Sequence, residues 1–373
     1  MLLALILIPL VTGLFVLLAR PEASAKTWAL LATVLNFAVA VLALNGFNSD
    51  GSFNHELSLP WVPEAGMAFR IGADGVSMLM VLLTNLLAPL IVLSSGQRAL
   101  TPAARYYGLV LVMVSALNGV FLALDGLLFY IFYELALIPI YFICAIWGGE
   151  SRVRITLKFF IYTFVGSLFM LAALLYVYLQ TPGTHSFRWE DLVQVQLTPA
   201  AAWWVMLGFF LAFAVKMPVF PFHTWQPDTY TVSPTGGTML LAGIMLKMGV
   251  YGVIRWMVPL APEAMHTWSP IFMSLAVIGI VYAAIIAVQQ SDLKRLIAYS
   301  SISHVGLIAA GVLAWNKTGV QGSLLQMLNH GINVVGLFFV VDLIERRMNT
   351  RMLAEMGGIA KNAPRLAALF MIV

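Results

Sequence analysis

Apolar runs of about 18 to 25 residues recur along the whole sequence, and an α-helix of that length crosses roughly 30 Å of hydrocarbon. In lipid a segment must satisfy its own backbone hydrogen bonds, so runs of this kind leave room for helices and little else. Eleven complete spans are read, near residues 2–19, 28–47, 73–95, 106–124, 126–147, 157–180, 201–230 (interrupted), 235–257, 269–289, 296–314 and 319–344. A twelfth begins near Pro364 in PRLAALFMIV and is truncated at Val373, which predicts that the sequence stops inside a longer protein. The expected fold class is all-α, a polytopic membrane protein. The first run, MLLALILIPLVTGLFVLL, has no basic residue ahead of it and no small-residue cleavage site, so it is read as a span and not as a signal peptide. Composition agrees, with 61% hydrophobic and 10% charged among 373 residues.

Orientation follows from the basic residues. With the N-terminus outside, the inner loops collect fourteen lysines and arginines, Arg20, Arg98, Arg152, Arg154, Lys158 and Lys294 among them, against four outside: Arg70, Arg188, Arg255 and Lys317. That asymmetry fixes the topology. It also accounts for the basic balance of the chain, which is therefore no argument for nucleic acid. The longest polar interruptions, 48–72 and 181–199, are both on the outer side, and neither is large enough to fold alone. Cys144 has no second cysteine to pair with and is read as a packing residue in an apolar helix.

Few ionisable residues remain well inside the spans: Glu134, Lys216, Lys247, His304 and His330. Counted along their helices they fall at similar depth, whereas Asp74, Asp125 and Asp342 lie nearer helix ends, where water is available. A charge at the bilayer centre costs about 2.5 to 3.5 kcal/mol on insertion scales, so this set calls for a function. Snorkelling does not explain Lys247, whose side chain would have to span more than two helical turns. The two histidines admit either reading, proton carrier or buried neutral ring held by a carbonyl.

One span carries both a charge and a break, in LAFAVKMPVFPFHTWQPDTY. Pro218 and Pro221 lack amide hydrogens and crowd the carbonyls of Ala214 and Met217, so the helix must open after Lys216. At membrane depth a broken backbone survives only where protein or a watery cavity surrounds it, and the Lys216 ammonium is an expected partner for the freed carbonyls. A Glu134–Lys216 contact at about 4 Å would be worth roughly 4 kcal/mol at an effective dielectric near 20. That matches the work of moving one proton across about 150 mV, roughly 3.5 kcal/mol. The alternative is a plain proline kink with a structural lysine.

Other chemistry is missing from the sequence: there is no CxxC, HExxH, Walker loop or dinucleotide-type GxGxxG. His223 has no second ligand at metal spacing, so no metal site is expected. Trp203, Trp204, Trp225, Trp256 and Trp268 fall near predicted helix ends and read as interfacial anchors. No redox centre can be placed on the chain.

Five stretches together, AVKMPVFPFHTWQPDTYTVSPT, AGIMLKMGVYGVIRW, DLKRLIAYSSISHVGL, FYELALIPIYFICAIWG and IGADGVSMLM, resemble the proton-translocating, antiporter-like subunits of respiratory complex I (NADH:quinone oxidoreductase). Their order and spacing are most similar to its chain M (subunit 4) branch, and the resemblance runs from the N-terminus to Val373. It implies a subunit of about fourteen helices with two inverted five-helix repeats, each containing a broken helix. On that plan 1–105 holds the first three helices, 106–257 the first repeat and 269–373 an incomplete second. It also implies proton transfer through Glu134, Lys216, Lys247, His304 and His330, with the helix break at Pro218 and Pro221. No cofactor is expected on this chain; FMN, Fe–S clusters and quinone would belong to partner subunits, and other membrane subunits, neighbouring antiporter-like ones included, would surround it. The implied location is a bacterial inner membrane, with the N-terminus on the periplasmic side. One departure is visible: Tyr230 stands where family members often carry a histidine, so that residue's role does not transfer. The competing readings are a subunit of a multi-subunit sodium/proton antiporter and a structural scaffold whose buried charges merely pair.

Overall fold

The computed structural model describes residues 1–48, 50–95 and 100–373, so Arg98, counted above among the inner cations, lies outside the described residues. Among those residues eleven helices are long and apolar enough to cross a membrane: α1 (Leu2–Ala19), α2 (Ala25–Leu42), α3 (Gly75–Ser95), α4 (Ala103–Leu122), α5 (Gly126–Trp147), α6 (Arg152–Gln180), α7 (Pro199–Lys216), α8 (Thr235–Leu260), α9 (Pro262–Val288), α10 (Leu293–Leu313) and α11 (Lys317–Met348). A further helix, α12 (Pro364–Ile372), follows. Each expected span has its helix, with ends that shift because charged turns extend beyond the apolar run. Arg152, Arg154 and Lys158 ride on α6 and not in a loop. Lys294 is buried in the first turn of α10 and donates to the Ser233 carbonyl at 2.6 Å.

α4 and α8 form the centre, with 89% and 94% of their apolar windows buried, against 28% for α9 and 33% for α1 and α2. Small residues explain the position of α8: its glycines let neighbouring backbones approach closely, which is how helices associate in lipid.

A polar knot ties α1 to α4. Pro9 cannot donate a hydrogen bond, which strips the Leu5 carbonyl of its helical partner. Asn36 of α2 and Asn118 of α4 each donate to that carbonyl at 3.1 Å. Asn85 of α3 links them, accepting from Asn36 at 2.7 Å and donating to Asn118 at 2.8 Å. Asn118→Leu removes both a donor to Leu5 and an acceptor for Asn85. We expect it to cost about 1–2 kcal/mol, seen as a lowered thermal unfolding midpoint in detergent; an unchanged midpoint would mean the knot is dispensable.

The outer interruptions depart from a wholly helical chain. β1 (Asn54–Val62) and β2 (Met67–Ala73) form an antiparallel hairpin. Its turn needs Gly66, whose φ is +62° and whose absent Cβ would fall 1.8 Å from the His185 carbonyl oxygen. The segment 181–199 docks on this hairpin: Phe187 N–H donates to Gly66 O at 3.2 Å, and Arg70 pairs with Glu56 at 2.8 Å and with Glu190. The two stretches close on each other over one set of helix ends.

Two aspartates expected in water are buried. Asp125 caps α5, accepting from the amides of Leu127 and Leu128 at 3.0 Å and of Ala68 at 3.2 Å. Asp342 accepts from Thr235 Oγ1 at 2.7 Å and pairs with Arg346 one turn away at 2.8 Å. Asp74 pairs with Arg255, which belongs to α8 and not to an outer loop. The tryptophans also divide. Trp204 is 66% exposed, as an anchor should be, whereas Trp225 and Trp256 are buried. Proximity to a helix end in sequence does not separate a headgroup-facing indole from one packed between helices. Cys144 is buried as expected, with its Sγ 3.0 Å from Ser233 Oγ.

Candidate functional site

α7 ends where the prolines require. The Met217 amide still reaches Phe213 O at 2.8 Å, after which the ladder loosens and the Val219 amide reaches back to Ala214 O at 3.0 Å. The chain becomes helical again only over Gln226–Val232. Trp225 Nε1 takes up the freed Val215 carbonyl at 2.9 Å. The expectation that Lys216 serves the freed carbonyls is thus corrected: the Val219 amide takes Ala214 O, the Trp225 indole takes Val215 O, and neither bond involves Lys216.

Lys216 occupies the last turn of α7, where the negative end of the helix favours a cation, and only 2% of it is exposed. Its Nζ lies 4.8 Å from the centroid of the Tyr133 ring. Glu134 and Lys216 form no ion pair among the described residues. Successive helical residues point about 100° apart, so with Tyr133 facing α7, its neighbour Glu134 is turned aside and half-buried.

Lys247 lies at the middle of α8, fully buried, between two π-helical segments, Leu241–Met245 and Val253–Met257. A π turn distorts the regular ladder and is a frequent mark of functional sites. Here Lys247 Nζ reaches back to the Ala242 carbonyl at 2.7 Å and, in the other direction, to His330 Nδ1 at 2.8 Å. With Lys247 as an ammonium, Nδ1 accepts from it and the ring proton sits on Nε2, which then donates to Ser301 Oγ at 3.0 Å. His330 is buried on α11 and Ser301 on α10. The His304 ring stands 6.1 Å from that of His330, but His304 is exposed on the surface of α10.

Glycines set these distances. A Cβ on Gly243 would lie 2.6 Å from Val335 Cγ2, and one on Gly331 would lie 3.0 Å from the Gly243 carbonyl oxygen, so α8 and α11 meet backbone to backbone beside the Lys247–His330 pair. On the other flank, Gly249 lets α8 approach Met217, the residue after Lys216. The five expected residues therefore form two groups on adjoining helices: Glu134 with Lys216 around Tyr133, and Lys247 with His330, His304 being at the margin. Sequence reasoning missed Tyr133, Ser301 and the Ala242 carbonyl. Ser301 was findable, since it lies three residues before His304 and shares its helix face. Tyr230 and His223 are buried among rings: Tyr230 lies 6.4 Å from Trp225, and His223 lies 5.7 and 5.3 Å from Phe220 and Tyr282.

Chemically, a proton passing from Lys247 Nζ to His330 Nδ1 leaves a neutral amine and an imidazolium whose Nε2–H is held by Ser301 Oγ, with no heavy atom moving far. Comparison with known proteins follows that reading. Residues 123–373 match the family described as NADH:quinone oxidoreductase/Mrp antiporter, TM. The chain is 38% identical over 378 residues to NADH-quinone oxidoreductase subunit M of Rickettsia conorii, covering 98% of this chain and 76% of that protein. It is 40% identical over 322 residues to subunit M of Escherichia coli strain K12, covering 84% of this chain and 63% of that protein. Among solved structures, a chain of respiratory complex I from Thermus thermophilus with bound NADH superposes with a TM-score of 0.92 at 35% identity, over 100% of this chain and 77% of that one. An Mrp complex chain from Dietzia sp. superposes at 0.88 with 22% identity, over 99% and 69%, a likeness of fold.

Proposed function

The chain belongs to the NADH:quinone oxidoreductase/Mrp antiporter family of membrane subunits, and we propose that it is the M-type, proton-translocating subunit of a NADH:quinone oxidoreductase. The observation that carries this is the buried Lys247–His330 contact with Ser301 behind it. In a scaffold, buried lysines would be matched by carboxylates; Lys247 meets an imidazole that can accept its proton. Lys216 at the helix break supplies the second exchangeable ammonium, and Glu134 the carboxylate of the same group. Electron transfer belongs to other subunits, which would hold FMN, Fe–S clusters and quinone, and neighbouring antiporter-like subunits would flank this one. The location is the inner membrane of a bacterium with the N-terminus toward the periplasm, a topology supported by the fourteen-to-four partition of cations. The family description covers Mrp antiporters too, but the relatives at 38% and 40% identity are oxidoreductase M subunits, whereas the Mrp chain is alike at 22%, which speaks to the fold.

Lys216→Met is the direct test. Within the assembled complex in vesicles, proton uptake per NADH oxidised should fall about tenfold or more. An assembled Lys216→Met complex that pumps normally would refute the proposed role.

A further inference from the structure

The outward side of Lys247 is closed by a polar layer that the relay does not use. One turn along α8, Tyr251 is fully buried and its Oη donates to the Phe121 carbonyl at 3.0 Å. The same oxygen accepts from Arg255 Nε at 3.2 Å and lies 3.0 Å from Ser77 Oγ. Arg255, a turn further on, is 7% exposed, donates Nη2 to Ser77 Oγ at 3.3 Å and pairs with Asp74. Its guanidinium carbon stands 5.1 and 5.8 Å from the rings of Phe53 and Trp189.

The hydrogen positions in this layer are determined by its partners. A phenol has one proton, and that of Tyr251 is committed to a main-chain carbonyl, which has none to pass on. Ser77 Oγ accepts a hydrogen bond from Arg255, and with the Tyr251 proton committed elsewhere the Ser77 hydroxyl hydrogen is the one that points to Tyr251. Every remaining lone pair of Tyr251 therefore faces a donor, and the principal donor is a guanidinium, which does not deprotonate in proteins. A proton wire needs each member to accept on one side and donate on the other; this layer runs in the wrong sense for export. Phe121, Leu122, Ala123 and Leu124, all at 0% exposure, fill the space around it.

We propose that Arg255, held by Asp74, Ser77 and Tyr251, is a proton seal that blocks the outward route from Lys247 and so directs its proton sideways to His330. The inference rests on Lys247 being a proton carrier. A fixed cation that excludes protons by field and by hydrogen-bond direction is a known device in pores.

The test is passive proton permeability of vesicles holding the complete complex, without NADH, under an imposed pH gradient and read with an enclosed pH dye. Arg255→Gln should raise permeability about tenfold, Arg255→Lys, which keeps the charge but can exchange its proton, should restore the seal only in part, and adding Lys247→Met to Arg255→Gln should abolish the leak. If Arg255→Gln does not assemble, Arg255→His is read in its place and should leak, because an imidazole exchanges protons. Assembled Arg255→Gln or Arg255→His vesicles as tight as the parent overturn the proposal, as does a leak that survives Lys247→Met. Pumping by Lys247→Met alone separates the two ideas: normal pumping defeats the carrier reading, whereas a silent Lys247→Met beside a tight Arg255→Gln defeats only the seal.

Discussion

Lys247→Met should abolish proton translocation while the complex still assembles. Methionine has a similar unbranched length and no charge, so it can occupy the fully buried site between the π segments without a new cavity. Removing a buried ammonium also removes its desolvation cost, which is why such replacements are often neutral for stability. What is lost is the exchangeable proton 2.8 Å from His330 Nδ1. A positioned acid–base group contributes on the order of 100-fold or more to a proton-transfer step, so acidification per NADH oxidised should fall at least about tenfold. Lys247→Arg sharpens the test. Arginine keeps the positive charge and the hydrogen bond but does not release a proton, so it should be as silent as methionine. If arginine supports pumping, the ammonium acts by its field and not by exchange.

These residues were legible because the membrane makes them costly. Lys216 before two prolines, and Lys247 and His330 at mid-span, contradict the apolar pattern around them, and the helix rules say where the break must fall. Contact is a different matter. That Lys247 reaches His330 while Glu134 misses Lys216 depends on which way each helix is rotated, and rotation is set by glycine contacts between helices far apart in sequence, such as Gly243 with Gly331. The same limit explains Trp225, which hydropathy treats as an interfacial ring because it cannot register the Val215 carbonyl 2.9 Å away. The outer hairpin was hidden for another reason. Its strands are satisfied by each other and by the segment around Phe187, and no local apolar period marks that pairing.

Gly249→Val should produce a large structural effect on this seam. A Cβ at 249 would lie 2.9 Å from both the Met217 amide nitrogen and the Phe213 carbonyl oxygen. Those two atoms make the last ladder bond of α7, at 2.8 Å, immediately after Lys216. Backbone cannot yield as a flexible side chain does, so α8 must move away or the final turn of α7 must unwind. Alanine already forces that choice, at roughly 1–3 kcal/mol, and the branched valine adds two methyl groups in the same place. Both should lower the unfolding midpoint, valine more, and both should reduce pumping, since the separation opens between Lys216 and Lys247. Gly322→Ala is the matched control: its Cβ meets nothing within 4 Å, and in a helix alanine is favoured over glycine by about 1 kcal/mol. A Gly249→Ala protein as stable and as active as Gly322→Ala would mean that the close approach of α8 to the end of α7 does not hold the two lysines in register.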